Sequence, residues 1–295
     1  MKVAEPAVSV FLKNILLATD LSDCSEKALL YAQGLARRFG SRVHTIHVSG
    51  PDSYQLLEPE PLAITFRELG EASQHPTEVL TALFRGLPTQ ISLRQGGIWE
   101  VINDVISRSE IDLLILGTHG RTGIPKLLQG SVAEQVFRNV SCPVLTIGPD
   151  ARPFDAQGPV FQRVLLATDL EKNSTAPSYA AWFSNQFQAQ VTVMRVVSDT
   201  GLGRRHQLVP ELKNAISEEL NVTREPEFRI EYGPAAPCIL DVAREWQADL
   251  IVLGARHPKT GDVNSHSPWA VASRVIAEAG CPVLTVRQPE KEHAH

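Results

Sequence analysis

The sequence predicts an α/β protein made of two tandem domains, each a doubly wound parallel five-stranded sheet, and three observations carry that prediction. Leu16-Leu17-Ala18-Thr19-Asp20-Leu21 recurs as Leu165-Leu166-Ala167-Thr168-Asp169-Leu170, and Cys142-Pro143-Val144-Leu145-Thr146 recurs as Cys281-Pro282-Val283-Leu284-Thr285. Between each pair of copies stands an apolar run ending in glycine, Asp112-Leu113-Leu114-Ile115-Leu116-Gly117 and Asp249-Leu250-Ile251-Val252-Leu253-Gly254. Within each half, short β-branched runs alternate with helix-like stretches, the order expected of a parallel sheet with helices on both faces. The boundaries predicted are 1–150 for the first domain, 151–160 for a linker, 161–288 for the second domain and 289–295 for a charged tail.

Residues 14–19 are almost continuously apolar, as in a strand covered on both faces. Ser22-Asp23 can cap the helix that follows, whose apolar face is Ala28, Leu29, Tyr31, Ala32, Leu35 and Ala36 and whose stop is Gly40. A strand is predicted over 42–48. Pro51, Pro59 and Pro61 break any long helix before 62–69, so 49–72 reads as a variable surface connection, with a partner-binding flap as the alternative. The first half continues with a helix over 77–85, a strand over 90–94, a helix over 98–109, a strand over 113–116, a helix over 131–139 and a strand over 144–147. Pro153, Gly158 and Pro159 mark 150–161 as the connection. In the second half, strands are predicted at 164–168, 191–197, 228–231, 250–253 and 283–286, and helices at 177–187, 211–220, 238–246 and 268–279.

The 295 residues fit roughly two domains, each long enough for its own core. A net charge of -5 gives no general attraction to nucleic acid or an anionic membrane. No run approaches the roughly 20 apolar residues of a membrane span, and the N-terminus lacks a signal-peptide core, so a cytoplasmic location is expected. Cys24, Cys142, Cys238 and Cys281 have no CxxC spacing, which disfavours a zinc site or redox pair. Cys142 and Cys281 read as small buried residues. His44 and His47 lie three apart on a strand and so face opposite ways, which argues against a shared metal. No structural metal is expected, and His119 reads as loop-stabilising, since no serine or cysteine partner accompanies it.

The chemistry lies after residue 116. Gly117, two residues, Gly120, nine residues and then Gly130-Ser131 follow an apolar strand. Ligands of open parallel sheets sit beyond the carboxyl ends of the strands. Glycine there permits positive φ and close backbone approach. A helix opening at Gly130-Ser131 offers free N–H groups, its positive dipole end and a hydroxyl, which together suit a phosphate. Arg121 and Lys126, in the intervening loop, suit the β- or γ-phosphate, or else form a solvated loop face.

This pattern resembles the nucleotide-binding motif of the universal stress protein family. Asp20 after the first strand, Thr118-His119-Gly120-Arg121-Thr122-Gly123 and the closing Cys142-Pro143-Val144-Leu145-Thr146 look like family features, and the resemblance spans nearly the whole chain as two tandem domains. It implies a Rossmann-like, adenine nucleotide alpha hydrolase-like fold, and ATP, with or without Mg2+, in the first domain. On that resemblance Ala18, Thr19 and Asp20 line the adenosine side, with Asp20 near the ribose or a metal. Val48 packs on adenine, Leu116 and Gly117 flank the nucleotide, and Gly120, Gly130, Ser131, Val132 and Ala133 surround the phosphates.

Two bland roles stand beside these. Asp20, repeated as Asp169, can cap the first helix or turn, and Gly117, repeated as Gly254, can be a turn glycine. Where Gly120 stands the second half has His257, and Trp269-Ala270 replaces Gly130-Ser131 after Pro268, in a loop two residues longer. An indole there fills phosphate space, so the second domain is expected to bind ATP weakly or not at all and to act as a structural or regulatory partner. Its Arg256, His257, Lys259 and His266 could still attract an anion.

The expected function is a nucleotide-dependent regulatory module in the stress response, with unidentified protein partners. No set of base, metal ligands and transition-state cations is visible beyond Asp20, so any turnover should be slow. The resemblance also allows autophosphorylation, for instance at Ser131. One alternative is an interaction scaffold that binds no nucleotide. Another is a nucleotidyl-transferring or pyrophosphate-cleaving enzyme, whose Ser-Gly-Gly or His-Ile-Gly-His element is replaced here by Ala18-Thr19-Asp20-Leu21-Ser22. Family domains pair through their last strands, so 144–147 and 283–286 are expected to pair as a pseudo-dimer within the chain, and two chains could associate as a homodimer.

Overall fold

The computed structural model describes residues 10–49, 76–118, 136, 140–152, 154, 161–170, 174–197, 205–216, 219–255 and 268–287. Two compact units divide between Gly158 and Pro159, with Val10 and Phe11 counted in the second.

In the first unit the described elements are β1 (Asn14–Ala18), α1 (Asp23–Phe39), β2 (Arg42–Ser49), α2 (Pro76–Leu83), β3 (Thr89–Gln95), α3 (Ile98–Ser109), β4 (Leu113–Gly117) and β5 (Val144–Ile147). The sheet order is β3-β2-β1-β4-β5, every pairing parallel. The chain therefore winds outward from β1 in one direction and then returns to wind in the other. The point of reversal lies between β1 and β4, where Ala18 stands opposite Leu116.

The second unit repeats this with β6 (Arg163–Ala167), α4 (Ala176–Phe187), β7 (Gln190–Val197), α5 (Arg205–Ile216), β8 (Glu227–Tyr232), α6 (Ala235–Glu245), β9 (Leu250–Ala255), α7 (Pro268–Glu278) and β10 (Val283–Arg287). Its order is β8-β7-β6-β9-β10, also parallel throughout. Both sheets are the doubly wound parallel kind that the repeat predicted. Leu16, Leu17, Leu114 and Ile115 are fully buried in the first, and Leu165, Leu166, Ile251 and Val252 in the second. That double-sided burial explains why the strands read as unbroken apolar runs.

α1 begins and ends where its capping residues predict. Ser22 is the N-cap, its side chain accepting from the Ser25 N–H, and Gly40 closes the helix at φ 67. Two helices of the second unit start earlier than predicted. The helix expected over 211–220 begins at Arg205, with Pro210 inside α5, and the one expected over 238–246 begins at Ala235, with Pro237 in the first turn of α6, where no intrahelical donor is lost. The predicted helix over 62–69 and most of that over 131–139 lie outside the described residues. No helix among the described residues is long and apolar enough to cross a membrane.

One repeated contact escaped the sequence. Asp112 Oδ2 accepts the Lys13 and Asn14 amides at 2.7 and 2.8 Å, and Asp249 Oδ2 accepts those of Gln162 and Arg163 at 3.0 Å each. Each aspartate closes the open amino end of the strand beside its own. Asp112→Ala leaves two donors without a charged acceptor and is expected to cost about 1–3 kcal/mol, measured by urea unfolding. An unchanged midpoint would show that water replaces the carboxylate.

Candidate functional site

The parallel registers carry the carboxyl ends of β1, β2 and β4 to one rim of the first sheet. Thr19 donates its N–H to the Ile46 carbonyl at 3.0 Å, and Thr118 donates to Ile147 at 2.9 Å, so both loops leave their strands under backbone control. Ala18, Thr19, Asp20, Val48, Leu116 and Gly117, all singled out in the sequence, lie at this rim by register. Ala18, Asp20 and Val48 are half-buried, while Thr19, Leu116 and Gly117 are buried. Gly120, Arg121, Lys126, Gly130, Ser131, Val132 and Ala133 lie outside the described residues, as do His119 and the second-unit residues Arg256, His257, Lys259 and His266.

After β1 the chain turns through Leu21, a non-glycine residue at φ 63. Left-handed backbone disfavours a branched side chain. The turn holds because the Leu21 N–H donates to Thr19 Oγ1 at 3.0 Å and the Leu21 side chain is buried. Leu170 repeats it at φ 62, donating to Thr168 Oγ1 at 3.1 Å, so this turn belongs to the fold rather than to one unit.

Asp20 is oriented from two sides. Its Oδ1 accepts from the Ser22 N–H at 3.1 Å and from Ser25 Oγ at 2.5 Å, and Ser25 Oγ also accepts the Asp20 N–H at 3.3 Å. The capping role named in the sequence is therefore present. Ser25 was missed: a serine inside an amphipathic helix gives no signal until the turn folds it onto Asp20. His47 was missed as well; its Nδ1 sits 2.8 Å from the Thr19 carbonyl and fixes the rim between β1 and β2. Only a donating Nδ1–H satisfies that carbonyl, which sets the tautomer of the neutral ring.

The turn-glycine alternative for Gly117 and Gly254 is corrected. Both are strand residues, opposite Ile147 and Val286 respectively. What Gly254 supplies is space, since a Cβ there would stand 3.3 Å from Ser174 Oγ.

His44 occupies the other face of β2. It is 6% exposed and its Nε2 has no partner. Burial, and secondarily the charge of Arg42, lowers its pKa below the ordinary 6.5. As pH falls through 6.5, the unfolded chain takes up this proton before the folded one, so stability is expected to fall with it. His44→Thr imports the residue of the equivalent position, Thr192, and should flatten the dependence between about pH 7.5 and 5.5 in urea unfolding. Parallel curves for the two proteins would refute this. Cys142 and Cys281 are buried as predicted, and burial pushes the Cys142 thiol up to about 12, which leaves it unreactive.

In the second unit, α7 starts at Pro268 with Trp269 in its first turn, half-buried. Proline is suited to that first position but removes a donor.

These features define the chain as a tandem repeat of a doubly wound parallel α/β domain, with the strand order of the first sheet reversing between β1 and β4. The family model described as "Universal stress protein family" matches residues 12–148 and again 161–287, and the protein belongs to that family. A universal stress protein of Methanocaldococcus jannaschii is 29% identical over 46% of this chain and 81% of its own length. One from Thermus aquaticus is 31% identical over 46% of this chain and 98% of its own length, so each relative accounts for about half of the present chain. Across the whole chain, the crystal structure of a universal stress protein from Archaeoglobus fulgidus is similar in fold, with a TM-score of 0.70 at 21% identity, covering 96% of this chain and 100% of that one.

Proposed function

We propose that the protein is a cytoplasmic, ATP-binding regulatory module of the stress response with one nucleotide site, in the first unit. The observation that carries this reading is the meeting of β1 and β4 at the sheet's reversal, with the glycine pattern Gly117, Gly120 and Gly130-Ser131 continuing from β4. In this reading Ala18, Thr19 and Asp20 take the adenosine side, Val48 packs on the base, and Gly120, Gly130, Ser131, Val132 and Ala133 receive the phosphates. Arg121 and Lys126 balance the phosphate charge, and Mg2+ accompanies the nucleotide. The second unit serves as partner rather than as a second site, because Trp269 stands where Gly130 does in the first.

A scaffold without nucleotide is the second reading, and the capping bonds that already engage Asp20 favour it. Calorimetric titration with MgATP separates the two. One site per chain supports the module; no binding by calorimetry and by an independent method supports the scaffold.

A further inference from the structure

The segment leaving β5 does not go directly into the connection between the units. Ala151 donates to Gly148 O at 3.2 Å, turning the chain back along α1. There, side chains on successive turns receive it. Lys27 Nζ donates to the carbonyls of Pro149 and Ala151, the latter at 3.1 Å, and Tyr31 OH donates to Arg152 O at 2.9 Å. The Tyr31 ring meets Phe154 edge-on at 5.3 Å between centroids. At the next turn is Gly34, where an added Cβ would lie 1.9 Å from the Phe154 ring. Residues 27, 31 and 34 share one helix face, and only glycine leaves room there for the ring.

We propose that this arrangement is a latch: Phe154 seated on Gly34 holds residues 149–152 against α1 of the first unit, and its departure from that seat frees them from the helix. Three features point to a device rather than ordinary packing. The grip is on backbone carbonyls, which any sequence would offer. The seat is a glycine inside a helix, where alanine is normally favoured. Phe154 stays only half-buried when seated, so its release exposes little further core.

The test is chymotryptic cleavage after Phe154 under native conditions, with the cut identified by fragment mass. Cleavage requires the ring to leave its seat, so its rate follows the population of the released form. Gly34→Ala should raise that rate about tenfold while the melting temperature stays level or rises, because alanine favours the helix and evicts the ring. Tyr31→Phe, which removes only the hydroxyl bond, should raise it by a smaller factor of about three. Wild-type rates at Phe154 in both variants would overturn the latch. Equal acceleration at sites elsewhere would also overturn it, since the contact would then be part of the global fold.

Discussion

Gly130→Trp is expected to lower MgATP affinity by at least about 100-fold, close to 2.7 kcal/mol, with one site per chain in the unsubstituted protein. The substitution gives the first unit the residue that the second carries at Trp269. A helix amino end binds phosphate through unpaired N–H groups that an anion must approach closely. An indole in that approach removes the contact and the dipole's effect together. The fold should survive, because the second unit holds its own tryptophan in the first turn of α7. Equal affinities for the two proteins would move the phosphates elsewhere. Two sites in the unsubstituted chain would show that Trp269 and Pro268 do not close the second unit.

Phe161→Ala is expected to be the most destabilising change outside the sheets, at about 3–5 kcal/mol. The ring is fully buried and meets Phe183 and Phe187 of α4 edge-on, at 5.5 and 5.0 Å between centroids. Truncation removes the transfer energy of the ring, leaves a cavity and breaks two favourable aromatic geometries. For a unit of this size the melting temperature should fall by about 10–20 °C. Amide exchange should accelerate first in α4. Phe161→Leu keeps much of the volume and should lose less than half as much. A fall of less than about 3 °C for Phe161→Ala would mean that the neighbours close over the gap.

Phe161 also shows where sequence reasoning stops. Pro153, Gly158 and Pro159 give 150–161 the composition of a connection, and a single aromatic beside them has no periodicity to reveal it as core. Its burial follows from two phenylalanines that lie more than 20 residues later and reach it only once α4 packs. Gly34 is similar, because a glycine in a helix is legible as a cost but the ring that requires it is not. At the candidate site, Asp20 was legible through its repetition and its place after a strand. Ser25 and His47 were not, since Ser25 meets Asp20 only once the turn after β1 has folded, and His47 meets Thr19 only once β1 and β2 pair.

By itself the sequence determined the duplication, the fold class, the strand order of elements along the chain and the family motif after β4. Those features are written in local periodicity and in spacing along the chain, both of which survive without tertiary contacts. Tertiary structure decided which side chains share a surface: the amides that Asp112 and Asp249 close, the serines that orient Asp20, the buried, unpartnered Nε2 of His44, and the seat for Phe154. Apart from the Asp20 turn, whose partners lie two and five residues along the chain, these depend on distances between residues remote in sequence, and such distances are set by packing, which no local pattern records.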